Sequence, residues 1–172
     1  MSATIAVDTA DGMAPASLPD VLQFMRLLWA VVHGLERASK RMMAEIGVTG
    51  PQRLVLRVVG IFPGVSAGEL AAILHVHPST LTGVLQRLVA QRLLVRAEDD
   101  NDRRRAVLRL TARGARVNAV RHGTVEGAIG EGLRSVSDRD RQVARRVLAR
   151  LAEHLEPEAV LQRTPRRAKG TS

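Results

Sequence analysis

Residues 66–111 constrain the fold most, because within them the spacing of apolar residues changes from helical to alternating. In "VSAGELAAILHV", Ser66 and Glu69 have capping-box spacing and apolar residues follow at helical intervals, which predicts a helix of about two turns. After the short turn "HVHP", the segment "STLTGVLQRLVAQRLLV" predicts a second helix. Alternating segments at 94–96 and 107–110, on either side of the charged turn "EDDNDRRR", predict a two-stranded hairpin.

This order of elements predicts a nucleic-acid-reading unit. A short helix, a tight turn and a second helix with hydroxyl, glutamine and arginine side chains on its outward face are typical of a helix-turn-helix. The hairpin after it is typical of a wing, whose tip can reach the minor groove while the second helix lies in the major groove. At the tip, Asp102 could hold Arg104 extended toward a narrow, electronegative groove. The alternative is an ordinary salt-bridged turn in solvent.

Helices are also predicted on the N-terminal side of this unit. From Leu18 to about Glu45, apolar residues recur at spacings of three and four, and Gly47 is a suitable stop. Thr49 and Gln52 then have the spacing of a capping box at the start of another helix. The predicted buried stripe of that helix comprises Leu54, Val55, Val58 and Val59.

One long helix is predicted after the hairpin, from Thr111 through "TARGARVNAVRHGTVEGAIGEGLRSV". Its internal glycines each cost about 1 kcal/mol relative to alanine, which indicates close packing or a bend. Ser137 is predicted to cap a last helix, with Asp138 and Asp140 favourably placed in its first turn. The small, polar segment 1–17 is predicted to be disordered, and the basic tail 157–172 to be flexible.

The composition excludes several classes of protein. The absence of cysteine in 172 residues excludes disulfides, thiolate metal sites and cysteine redox switching. The net charge of +9 is carried almost entirely by arginine, which suits phosphates and base edges, although a GC-rich genome also raises the arginine content. No apolar run is long enough to span a bilayer, and the N-terminus does not have the pattern of a signal peptide, so a cytoplasmic protein is expected.

Three segments together resemble a known family: "VTGPQRLVLRVV", "GELAAILHVHPSTLTGVLQRLVAQRLLVRAEDDNDRRRAVLRLTARG" and "SVSDRDRQVARRVLARL". With the wing motif "DRRRAVLRLT", they make residues 20–156 similar to the MarR family of winged-helix transcriptional regulators. The resemblance implies a mainly α (α+β) fold in which the N- and C-terminal helices of two chains interlock as a three-helix dimerisation domain. The expected parts are a dimerisation helix at 18–47, a winged helix-turn-helix at 48–111 and dimerisation helices at 112–156.

The resemblance also implies which residues contact DNA. In the second helix and its start these are His77, Pro78, Ser79, Thr80, Thr82, Gly83, Gln86 and Arg87. In the wing they are Asp102, Arg103, Arg104 and Arg105, with Arg104 in the minor groove and its two neighbours on phosphates. Proline at 78 and glycine at 83 depart from relatives, so base specificity does not transfer from them. For the serine and threonines, ordinary helix capping is the alternative role.

Many proteins of this family are homodimeric repressors that small ligands, often phenolic or anionic, release from a pseudo-palindromic operator. An effector-independent or architectural winged-helix protein is the alternative. Trp29 lies between Arg26 and His33, so this trio is a candidate site for an anionic effector, although an anchor in the dimer core is the slightly preferred role for Trp29. His75 and His77 could converge on a metal, but no third ligand is evident nearby. No cofactor is expected, and the chain has no recognisable catalytic motif.

Overall fold

The computed structural model describes residues 18–98 and 105–155, and it has the predicted order of elements with two differences. The helices are α1 (Asp20–Ile46), α2 (Gly50–Ile61), α3 (Ala67–Leu74), α4 (Pro78–Ala90), α5 (Ala112–Ala119), α6 (Val125–Arg134) and α7 (Asp138–Leu155). The strands are β1 (Val65–Ser66), β2 (Leu94–Glu98) and β3 (Ala106–Leu110). The protein is therefore mainly helical with one small sheet, as the sequence predicts.

The predicted helix boundaries follow from local hydrogen bonds. Thr49 and Ser66 each form a complete capping box, with Gln52 and Glu69 respectively, at the starts of α2 and α3. Helix α1 ends at Gly47, whose φ of 74° is accessible to glycine at little cost. At the start of α7, the Ser137 hydroxyl accepts a hydrogen bond from the backbone N–H of Asp140. These four boundaries are confirmed.

The sheet has a third strand that the sequence analysis does not predict. The order is β1-β3-β2 and all pairs are antiparallel, with Val65 opposite Leu108 and Leu94 opposite Leu110. Two residues are too few to show an alternating pattern, so β1 could not be recognised from spacing. By pairing with β3, it ties the hairpin to the start of α3.

The hydrophobic core lies within the winged-helix unit, defined here as residues 48–98 and 105–119. Side chains from α2, α3, α4 and the three strands form it, including Leu56, Leu70, Leu85 and Leu108. The prediction for α2 is wrong at Leu54, which is 52 % exposed, whereas Leu56, which the prediction omits, is fully buried. Packing across three elements, and not helical spacing alone, decides which side of α2 is covered.

The long helix predicted from Thr111 is wrong, because the chain leaves helical geometry between α5 and α6. The break spans residues 120–124 and contains Gly123, whose φ is 67°. Helix α5 packs against α2 and β3 in the winged-helix unit, whereas α6 contacts α1. The glycines of this region therefore mark a bend, which was one of the two explanations offered by the sequence.

The outer helices expose their apolar faces in the single chain. On α1 the exposed large apolar side chains include Val21, Leu22, Met25, Trp29 and Val32, and on α7 they include Val143, Val147 and Leu148. One chain leaves these apolar stripes largely uncovered. Within 18–98 and 105–155, no helix combines the length and apolarity needed to cross a bilayer.

Candidate nucleic-acid interface and effector cleft

Helix α4 begins with a histidine cap instead of the more usual hydroxyl or carboxylate. His77 Nδ1 accepts a hydrogen bond of 3.2 Å from the backbone N–H of Ser79 and lies 2.7 Å from the Ser79 hydroxyl. Pro78 follows in the first turn, where its missing N–H leaves no partner unsatisfied. Because Nδ1 accepts from the backbone, the cap needs the ring tautomer that carries its proton on Nε2.

The predicted contact residues of α4 share one outward face. Leu81, Leu85 and Leu88 hold the opposite face in the core. Gly83 on this face is half-buried. The other residues are exposed: Pro78, Ser79, Thr80, Thr82, Gln86 and Arg87. Thr82 Oγ1 donates to the carbonyl of Pro78 at 2.9 Å, so this hydroxyl and that of Ser79 are already engaged within the helix.

The wing is anchored to α3 by a carboxylate that the sequence analysis assigned only to a cap. Glu69 Oε2 accepts hydrogen bonds from the backbone N–H and the hydroxyl of Ser66, both at 2.9 Å. It also accepts from Arg105 at the start of the returning strand, which joins the hairpin to the N-terminus of α3. Arg105, predicted to contact phosphate, thus has an internal partner. The predicted residues Asp102, Arg103 and Arg104 lie outside the described residues.

Glu69 should make stability depend on pH below about 4.5. The Ser66 backbone N–H, the Arg105 guanidinium and the Ser66 hydroxyl lower the pKa of Glu69 from 4.5 to about 2. Since the folded pKa is lowered, this contribution is present above the unfolded value and is lost as the pH falls toward 2. The stability advantage of the parent over Glu69→Gln, measured by urea unfolding, should therefore be constant above about pH 5 and shrink toward pH 2. Half of the side chain is exposed, so solvent screening keeps the effect small.

Glu36→Gln on α1 is the matched control for this experiment, since Glu36 is exposed and has no ion pair among the described contacts. If both variants lose the same stability relative to the parent at every pH, the Glu69 network does not hold the wing.

A buried arginine joins the winged-helix unit to α6. Arg53 on α2 is 1 % exposed, and its guanidinium donates to the carbonyls of Val117 and Val120, each at 2.6 Å, at the end of α5. Its Nε donates to Glu126 in the first turn of α6 at 2.7 Å. Burial alone would raise the pKa of Glu126, but the hydrogen bond from Arg53, a backbone hydrogen bond and the charges of Arg53 and Arg57 together outweigh it and hold that pKa below its usual value. Nothing in the helical spacing distinguishes Arg53 from a solvated arginine.

A cleft of about 230 Å³ lies beside this junction, between α1 and the segment from 121 to 131. Arg41 and Glu45 line it from α1, and Arg121, His122 and Glu131 line it from the other side. The mixture of cations and carboxylates suits a ligand that carries a negative group next to hydrogen-bond donors.

The predicted effector trio lies elsewhere. Trp29 is 66 % exposed on the apolar face of α1, and its Nε1 donates a hydrogen bond of 3.0 Å to His33 Nε2. Neither of these residues nor Arg26 lines the cleft. In the described part of the chain, no group of three histidine or acidic residues is placed to hold a metal, and the pair His75 and His77 has no third ligand there.

The fold and the exposed face of α4 define a winged helix-turn-helix protein. Residues 46–105 match the sequence profile of the MarR family. The HTH-type transcriptional regulator TtmR of Methylorubrum extorquens (strain PA1) is 36 % identical over 100 residues, which are 58 % of this chain and 50 % of that protein. The chain thus spans about half the length of this curated relative. The matched region and this relative support the resemblance to the MarR family of transcriptional regulators that is seen in the sequence.

Solved structures of other proteins share the fold. CouR from Rhodococcus jostii RHA1 bound to p-coumaroyl-CoA has a TM-score of 0.65 and 24 % identity, covering 82 % of this chain and 96 % of that chain. The S. aureus MepR–DNA complex has a TM-score of 0.63 and 17 % identity, covering 77 % of this chain and 97 % of that chain. At such identities the likeness shows the arrangement of elements.

Proposed function

We propose that the protein is a homodimeric transcriptional repressor that binds a pseudo-palindromic DNA operator through α4 and the wing. The observation that carries the proposal is the exposed polar face of α4, which is held outward by a buried leucine face and flanked by a hairpin with an arginine-rich turn. A helix of this kind fits the major groove, and a two-fold pair of such helices reads half-sites about one DNA turn apart. The solved MepR–DNA complex shows that a protein of this fold binds DNA.

The uncovered apolar faces of α1 and α7 support the dimer. Burying a side chain of this size contributes about 1.5–3 kcal/mol of favourable free energy. A soluble monomer rarely leaves so many of them exposed in one continuous stripe. A second copy of the chain would cover them with the same residues, as a two-fold interface requires.

The proposal predicts salt-dependent binding to DNA taken from upstream of the protein's own coding sequence. Arg87→Ala should weaken this binding about tenfold, because the exposed guanidinium near the end of α4 has no ion pair among the described residues. Arg104→Ala in the wing should weaken it as well. Fluorescence anisotropy at a fixed salt concentration measures both, with far-UV circular dichroism to check folding.

Arg139→Ala is the control for these variants, since Arg139 is exposed in the first turn of α7 and has no described ion pair. Equal losses of DNA affinity in all three variants would show that the effect comes from net charge alone. Unchanged affinity in Arg87→Ala and Arg104→Ala would refute the assignment of α4 and the wing.

We further propose that an anionic aromatic ligand releases the DNA by binding in the cleft beside α1. The cleft touches both α1 and the α5–α6 connection, so a ligand there contacts the parts that set the position of the winged-helix unit. Arg41 is exposed and has no described ion pair, which leaves it available to a carboxylate.

Arg41→Gln should weaken binding of p-coumarate or benzoate about tenfold in isothermal titration calorimetry, since a charge-assisted hydrogen bond is lost. Arg37→Gln, one helical turn away on α1 and outside the cleft, should bind as the parent does. The cleft assignment is wrong if both variants bind alike. If neither compound binds the parent or releases its DNA, the alternative of an effector-independent winged-helix protein is favoured.

A further inference from the structure

The hydroxyl proton of Thr82 is already bonded within the folded helix and is not available to donate to a base. Thr82 is exposed, yet its Oγ1 donates to the carbonyl of Pro78 one turn earlier. Threonine carries only a hydroxyl and a methyl group on Cβ. An exposed threonine bonded to its own helix in this way therefore presents the methyl group to an incoming partner.

Gly83, the next residue, leaves room for such a partner. A Cβ on Gly83 would meet nothing within 4 Å, so no neighbour in the chain requires glycine there. Glycine inside a helix costs about 1 kcal/mol relative to alanine. A glycine without a packing reason on the exposed face of α4 lowers the surface beside Thr82 and lets another molecule approach closely.

We propose that Thr82 recognises thymine by packing its γ-methyl group against the 5-methyl group of the base in the major groove. The inference rests on the proposed DNA-binding function and adds the base that this position selects. Among the four standard bases only thymine presents a methyl group in the major groove, and a threonine methyl reads it by apolar contact. A hydrogen bond from Thr82 to a base would first have to break the bond to Pro78.

Two substitutions separate the methyl from the hydroxyl. Thr82→Val keeps the methyl and loses the hydroxyl, whereas Thr82→Ser keeps the hydroxyl and loses the methyl. The probes are duplexes that the parent selects from a randomised DNA library, in which single thymines are replaced by deoxyuridine, a change that removes only the 5-methyl group. Affinity is measured by fluorescence anisotropy at one salt concentration, and thermal melting checks that each variant folds.

The parent should lose about fourfold in affinity when deoxyuridine replaces one particular thymine of a half-site, and about 15-fold when both half-sites are changed. Thr82→Val should behave as the parent does. Thr82→Ser should bind the thymine duplex as weakly as the parent binds the deoxyuridine duplex, and it should not distinguish the two.

Two results would overturn the inference while the DNA-binding function stands. One is a parent that tolerates deoxyuridine at every position, and the other is a Thr82→Ser variant that still distinguishes the two bases. A library from which the parent enriches no duplex would instead refute the proposed function, and the role of Thr82 with it.

Discussion

Replacing Arg53 with methionine is expected to lower the free energy of unfolding by about 3–5 kcal/mol. Methionine fills similar space, but it leaves the carbonyls of Val117 and Val120 without the donor that satisfies them. It also removes the hydrogen-bonded cation beside Glu126. Urea unfolding followed by far-UV circular dichroism, at one chain concentration, measures the change.

Arg57→Met is the matched control for this prediction. Arg57 lies one turn along α2, keeps 31 % of its side chain exposed, and lies 3.8 Å from Glu126. A pair as exposed as this contributes at most about 1 kcal/mol. Glu126→Gln should also lower the free energy of unfolding by less than Arg53→Met does, because the carboxamide oxygen can still accept a hydrogen bond from Arg53. Similar losses in Arg53→Met and Arg57→Met would show that the buried arginine does not hold the junction.

Gly114→Ala is expected to destabilise the protein by about 3 kcal/mol, at the upper end of the usual range for overpacking. A Cβ on Gly114 would clash with the carbonyl oxygen of Leu93, and this neighbour is backbone. The same oxygen accepts from the Thr111 N–H, so moving it disturbs the start of α5 as well. For a chain of this size the melting temperature should fall by roughly 6–12 °C.

Gly68→Ala in α3 provides the comparison, because a Cβ there would meet nothing within 4 Å. That variant should melt within a few degrees of the parent. If Gly114→Ala also melts with the parent, α5 can move away from Leu93 at little cost, and the close contact does not fix its position.

The parts of the fold that follow from neighbouring residues could be predicted from the sequence. The capping boxes of Thr49 and Ser66 span four residues each, and the stop at Gly47 depends on one φ angle. The hairpin follows from alternation on both sides of a charged turn. In all these cases the stabilising contact and the pattern that indicates it lie in the same short segment.

Features that depend on distant residues could not be predicted in this way. Arg53 and Glu126 are 73 residues apart, and neither stands out in its own helix. Glu69 and Arg105 are 36 residues apart, so the capping box predicted the contact of Glu69 with Ser66 and not its contact with Arg105. The helix predicted through Gly123 overlooked that α5 and α6 pack on different partners, which favours a break over a continuous helix.

The candidate site was predicted unevenly for the same reason. The outward face of α4 follows from helical spacing, since three leucines fix which side is buried. The effector trio was chosen by spacing around Trp29, whereas the cleft brings α1 together with residues about 80 positions later in the chain. DNA contact by the α4 residues stays a prediction that the proposed variants test.

The chain passes between the winged-helix unit and its flanking helices twice, and the two passages lie side by side. The Gly50 N–H donates to Ser39 Oγ at 2.7 Å, and a Cβ on Gly50 would lie 3.7 Å from Val125 at the start of α6. Because the winged-helix unit is attached at two neighbouring points, the line that joins them can act as a hinge, and rotation about other axes is restricted. We therefore expect any change in the distance between two paired winged-helix units to be mainly a rotation about this line, next to which Arg53 lies.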